Sequence, residues 1–277
     1  NTDNSLFLAP LMHEFGWRYG RDTDRIAAGI VVGHIIECTC MCMGGASNFW
    51  ADVPQPWNIG FPIAEVGSDG EAVITKLPDA GGMVNEWTVK EHLVYEIHDP
   101  RSYVMADGVA DLTTVKLSEE GKDRVRISQV RGKPRPEAYK VLVAYEDGYM
   151  GEAAVYFPWP DAIAKAKRAE EVLKKRFEPW ADRILDLRID RIGVNSLMGE
   201  TAPEPVDPNE IGVRVALRTR TQQDIEKIKR EIVHLWTAGG VGAAIQAPTP
   251  SKPVVSLWPT LIPREKVKVT TVLKHAQ

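Results

Sequence analysis

The apolar run over residues 26–43 carries side chains with chemistry of their own, and His34, Glu37, Cys38 and Cys42 among them share a pattern. On a helix, positions 34, 38 and 42 are four apart and share one face, and Glu37 flanks that stripe three residues past His34. On a strand, positions 34, 38 and 42 also fall on one face, so the grouping holds in either conformation. A histidine, a carboxylate and a thiol together can act as acid, base and nucleophile, or as ligands of a soft metal such as zinc. A packed-core reading stands beside this one. Cysteine often behaves as a small hydrophobe, His34 can donate to a core carbonyl, and C-x-C-x-C lacks the C-x2-C spacing of structural zinc sites. Glu37 carries the most information, because a carboxylate inside an apolar segment must be paired or face a cavity. His34 and Glu37 are therefore the candidate acid and base, with Cys38 beside them, and Cys42 reads as packing.

Two further groupings qualify. His13 and Glu14 precede Phe15-Gly16-Trp17 near the end of a short predicted helix. They are placed to reach into a pocket or to form a surface pair over Trp17. Lys76 ends a predicted strand, Gly81-Gly82 allow close approach, and a helix follows with Thr88 and Glu91 in a capping-box pattern. A helix N-terminus with free N–H groups binds anions, so Lys76, Gly81 and Gly82 are candidates for holding a carboxylate or phosphate, against an ordinary turn before a helix. Gly239–Gly242 reads as a helix stop. Thr2 lacks the free amine that an N-terminal threonine nucleophile needs, because Asn1 precedes it. There is no G-x-S-x-G elbow, no H-E-x-x-H and no P-loop.

These side chains need a scaffold. Residues 6–14 and 25–43 read as helices, the second buried and closed by Gly44-Gly45. Residues 53–61 are loop, and two strands within 63–76 flank Gly67–Gly70. A helix is expected over 89–97. Strands are expected over 114–117, 124–130, 139–145 and 151–157, with Glu146-Asp147-Gly148 as a hairpin turn. The pattern continues with a helix over 161–177, strands over 185–192 and 212–220, a helix over 222–236 capped by Thr221, and a last strand over 266–273. The expected fold class is α/β with α+β elements: a helical first segment, a mixed or antiparallel β region, and a C-terminal sandwich-like α/β part. A joint at residues 176–180 would divide it into regions 1–178 and 179–277.

A chain of 277 residues with 44% hydrophobic content can bury a large core. With a net charge of -4 and no basic face or tail, a nucleic-acid partner is not expected. No apolar run is long enough to span a bilayer, so no membrane association is expected. Three cysteines within five residues are not a disulfide framework and point to a reducing, cytoplasmic setting. The abrupt start at Asn1 suggests that the fold begins upstream.

Several blocks carry a family resemblance: the run from Ser5 to Trp17, Gly33-His34-Ile35-Ile36-Glu37-Cys38, Gly60–Val66, Ile74-Thr75-Lys76 through Val84, Tyr95–Pro100 and Ile192–Leu197. Together, and in this order, they resemble the acyclic terpene utilisation (AtuA-type) family. Cys38 fits that pattern; Cys40 and Cys42 do not. The resemblance implies a role in breaking down acyclic terpenes and branched acids through coenzyme A thioesters, and an upstream α/β region absent from this sequence. The expected activity is a hydratase, dehydratase or lyase acting on a carboxylic acid or acyl-CoA. Glu37 and His34 would supply acid–base chemistry, and Lys76 with Gly81-Gly82 would hold an anionic group. No cofactor is implied beyond a coenzyme A thioester as substrate. Alternatives are a non-catalytic subunit that binds an acyl-CoA enzyme, and a zinc-dependent hydrolase using His13, His34 and Cys38. The expected partners are the upstream region or a companion subunit, in a homo- or hetero-oligomer.

Overall fold

Ten consecutive residues of one helix, Ile26 to Ile35, are buried, so the element has no solvent face. A helix that is apolar all round must sit inside a core, and this one, α2 (Thr23–Glu37), does so in the computed structural model. The structure describes residues 3–270 and 272. Asn1 and Thr2, and with them Thr271 and Leu273 of the strand expected over 266–273, lie outside the described residues.

The chain forms two compact units, Asn1–Val141 with Leu261–Gln277, and Leu142–Thr260. In the first, α1 (Asp3–Phe15) packs along α2. A four-stranded antiparallel sheet follows, built from β1 (Ile63–Val66) and β2 (Ala72–Thr75) with, later in the chain, β5 (Lys116–Glu119) and β6 (Val125–Ser128) in the order β1-β2-β6-β5. Between these pairs come α3 (Glu86–Leu93), β3 (Tyr103–Val104) and β4 (Val109–Asp111). β7 (Arg131–Lys133) completes a second antiparallel sheet, β3-β4-β7. Ile30, Ile35, Ile74, Val89 and Ile127 meet in one core.

The second unit is a two-layer α/β sandwich. β10 (Glu210–Thr219) lies between the long β8 (Ala138–Pro158) and β9 (Ile184–Ile192), with β11 (Ala244–Gln246) on the far side of β8. Val213, Val215 and Leu217, two apart along β10, point into a core shared with Leu173 of α4 (Ala162–Phe177) and Ile225 and Ile228 of α5 (Gln222–Val233). That alternation is how a strand buries one face. α5 starts at Thr221, whose side chain accepts from the Asp224 N–H, and a short α6 (Leu235–Ala238) ends at Gly239. The chain is thus a mixed α/β protein with a helical first segment, antiparallel sheets and a sandwich-like later part.

Four expectations need correction. α2 stops at Glu37 rather than Met43, because the chain tightens into three-residue turns: the Met41 N–H donates to the Cys38 carbonyl and the Met43 N–H to the Cys40 carbonyl. Cys42 therefore leaves the His34 stripe and packs in the core. α3 begins three residues before Val89. Asn85 is its N-cap, accepting from the Trp87 and Thr88 N–H groups, and Thr88 closes the capping box from inside the helix. Glu146-Asp147-Gly148 makes no hairpin, because β8 runs straight through it. Its second half pairs with β10 and it also pairs with β12 (Lys252–Pro263), so the two halves need not fold onto each other. Among the described residues β12 is also the last strand, and residues 267–270 carry no regular structure.

Candidate functional site

One turn of α2 brings His34 and Glu37 side by side, with side chains 3% and 5% exposed. The i, i+3 spacing explains the meeting, and three other elements explain the burial. α1 crosses at Gly33, where a Cβ would stand 2.9 Å from the Asn4 carbonyl oxygen and 3.0 Å from its Cα. Only a glycine admits so close a backbone, and the approach sets the Asn4 amide over Glu37. Tyr103 enters from β3, its ring 5.2 Å from that of His34. His92 enters from α3, its ring 5.4 Å from His34.

The hydrogen bonds fix where protons sit. His34 Nε2 is 3.1 Å from the main-chain oxygen of His92, which can only accept, so Nε2 carries the proton. Nδ1 then presents a lone pair, 3.5 Å from Glu37 Oε1. The Asn4 amide satisfies both of its ends with Nδ2 donating to Glu37 Oε2 at 2.9 Å and Oδ1 accepting from the Tyr103 hydroxyl at 3.0 Å. Burial lowers the pKa of His34, although the Glu37 carboxylate works against that shift, so the ring is neutral at neutral pH. Burial pushes the Tyr103 hydroxyl up to about 12, and its one proton is directed at Asn4. Nδ1 of His34 and the Glu37 carboxylate are therefore two acceptors turned toward each other, a place that takes up a proton.

Both groups line a cavity of about 380 Å³, within the range that holds small-molecule ligands. Tyr103, Ser102 and the loop that carries Glu96, His98 and Asp99 complete its wall, and Lys140 adds a cationic group. Of the other side chains proposed from the sequence for catalysis or binding, none lines this cavity. Cys38 follows Glu37 as the residue that caps α2. His13 and Glu14 are exposed at the end of α1, above a buried Trp17 whose indole N–H donates to the Ser68 carbonyl. Lys76 is turned inward, with Nζ donating to the Ala80 carbonyl at 2.6 Å and lying 3.8 Å from Asp123. The N–H groups of Gly81 and Gly82 donate to the carbonyls of Asn58 and Pro54. At the start of α3, Glu86 N–H donates to Glu119, and the next two are taken by Asn85. The donors of that loop are thus engaged within the protein. Among the described residues, no group of three or more His, Cys, Asp or Glu side chains is arranged to hold a metal ion, the His13, His34 and Cys38 set included. No helix among them is long and apolar enough to cross a membrane.

Asn4, Tyr103 and His92 were not picked out by residue type and spacing. The signal nearest to them was the Tyr95–Pro100 block, which supplies the cavity wall between α3 and β3. His92 is 1% exposed, and neither of its ring nitrogens has a hydrogen-bond partner in the protein. Burial, with a smaller effect from His34, lowers its pKa to about 4.

The family model for the acyclic terpene utilisation family protein AtuA matches residues 1–273 of the chain. No curated protein and no solved structure matches it.

Proposed function

The chain belongs to the AtuA family of acyclic terpene utilisation, and on that premise we propose that it is a cytoplasmic enzyme acting on a carboxylic acid or acyl-CoA intermediate of terpene breakdown by acid–base chemistry. The observation that carries this reading is the buried His34–Glu37 pair at the wall of a ligand-sized cavity. A thioester makes the hydrogens on its neighbouring carbon acidic. Hydration, dehydration and carbon–carbon cleavage next to a carbonyl all begin or end with a proton moved at that position. A pair of facing acceptors is suited to take such a proton. Once it sits between Nδ1 and Oε1, the pair holds an acid that can return it to a leaving hydroxyl or a carbanion. Burial keeps bulk water from competing as a proton source. Lys140 is placed to meet an anionic end of the substrate.

The test is Glu37→Gln, which keeps the shape and the hydrogen-bonding reach but not the basicity. Turnover of acyclic-terpene acyl-CoA thioesters should fall by about 10²–10⁴-fold with little change in KM, the usual yield of a general base. Unchanged turnover would remove Glu37 from the chemistry.

A further inference from the structure

We infer that Asn4 is the positioning residue of this site, holding the Glu37 carboxylate turned to His34 while accepting the hydrogen bond of the Tyr103 hydroxyl. The inference rests on the acid–base reading above and adds a residue to it. Asn4 is 1% exposed, and a buried amide is costly unless both of its ends are satisfied. Here one end donates to both carboxylate oxygens, at 2.9 and 3.3 Å, and the other accepts from Tyr103. A donor on a carboxylate favours its ionised form. With Oε2 held by Asn4, rotation of the carboxylate is blocked, and Oε1 is left facing Nδ1. The Tyr103 hydroxyl lies 3.5 Å from Nδ1 and would compete for its lone pair. Accepting that hydroxyl's hydrogen bond, Asn4 keeps the nitrogen available. The arrangement depends on Gly33, the only residue type whose lack of a side chain admits Asn4 there.

Several other charges and titrating groups act on the pair. From the C-cap of α2 there is Cys38, from α3 His92, and from the loop beyond it Glu96, His98 and Asp99; Tyr103 comes from β3 and Lys140 from the start of β8. Of these only Tyr103 responds when Asn4 is replaced, because its hydroxyl is freed to donate to Nδ1; the variants are therefore made in the Tyr103→Phe background, where a shift in proton uptake reports on Asn4.

In the full chain carrying Tyr103→Phe, the experiment introduces Asn4→Leu and Asn4→Ala, which remove the donor while filling or emptying its space. With the N–H gone, the pair should bind a proton more readily. The acidic limb of the kcat/KM profile should move up by about one pH unit, and the NMR titration of the His34 ring should move with it. A role confined to packing would lower the melting temperature and leave both curves in place. The inference is overturned if either variant folds and keeps the His34 titration within about 0.3 unit of the Tyr103→Phe parent. Because that titration needs no turnover, it decides the role of Asn4 even if Glu37→Gln turns out to be inert. If Glu37→Gln is inactive and the Asn4 variants titrate like the parent, the acid–base reading stands without Asn4.

Discussion

Glu37 keeps its carboxylate in a nearly dry place because three polar side chains from three elements are arranged around it. Tyr103 contributes through Asn4, and its effect is separable from chemistry. In Tyr103→Phe the ring can still pack on His34, but the buried Asn4 Oδ1 loses its donor. An orphaned buried acceptor costs about 1–3 kcal/mol, so urea unfolding should show a loss of that size. The acidic limb of the activity profile should stay where it is, since Tyr103 releases its proton only at about pH 12. A limb that moved with the hydroxyl's removal would mean that Tyr103 itself titrates in the reaction. His34 and Glu37 were legible in the sequence because their relation is local: one helical turn, and a carboxylate that an apolar segment must account for. Asn4 and Tyr103 were not. Their partners lie tens of residues away, and an asparagine near the start of a helix or a tyrosine on a short strand has no local pattern that marks it. His92 was hidden for another reason, since what sets it apart is the lack of a partner, which only packing reveals.

At the scale of elements, the site depends on how closely α1 lies on α2. Two glycines line that contact, and they should respond differently to alanine. At Gly29 the added methyl would meet Leu8 Cδ1 at 2.5 Å, the free end of a side chain that can turn aside. At Gly33 it would meet the backbone of Asn4, which can move only if α1 moves. Alanine in a helix gains up to about 1 kcal/mol over glycine, whereas overpacking a core costs about 1–3 kcal/mol. Gly29→Ala should therefore be near neutral or mildly destabilising. Gly33→Ala should lose about 1–3 kcal/mol and most of the activity, read from melts and turnover of the two variants together. Equal effects would show that α1 is not pinned at Asn4. Element types followed from periodicity and burial, as in α2, α4 and β10; their ends did not. T-x-x-E at Thr88 was a plausible cap, but Asn85 reaches two N–H groups three residues earlier and takes the role. Glu146-Asp147-Gly148 has hairpin composition, yet β10 and β12 supply β8 with partners from far along the chain. Long-range pairing overrides turn propensity there.

The two units divide the titrating groups unequally, and acid should reveal the division. The first holds His34 and His92, both buried and both with lowered pKa. The second has a single histidine, His234, which is exposed. A histidine whose folded pKa lies below its unfolded value gives its full stabilisation above the unfolded pKa. It loses that contribution as pH falls toward the folded pKa, because the unfolded chain binds the proton first. For His92 the window runs from 6.5 down to about 4, worth roughly 3 kcal/mol at about 1.4 kcal/mol per unit, and His34 adds to it in the same direction. Carboxylates with lowered pKa occur in both units, but in the second they act without a buried histidine. Ser256 and Arg218 hold Asp147 below its usual range, and Arg188 and Arg214 do so for Asp190, against the opposing effect of its burial. Their contribution is present above the ordinary carboxylate pKa and is lost only as pH falls below it. Hydrogen exchange reads each core by itself. Between pH 7 and 4.5, protection at Ile30 and Ile74 should fall steeply, while protection at Val213 and Val215, corrected for the intrinsic exchange rate, should hold until about pH 4. His92→Leu should flatten the first decline and leave the second unit unchanged. A parallel decline in both cores, or a first-unit decline that survives His92→Leu, would mean that these buried imidazoles do not govern the acid response.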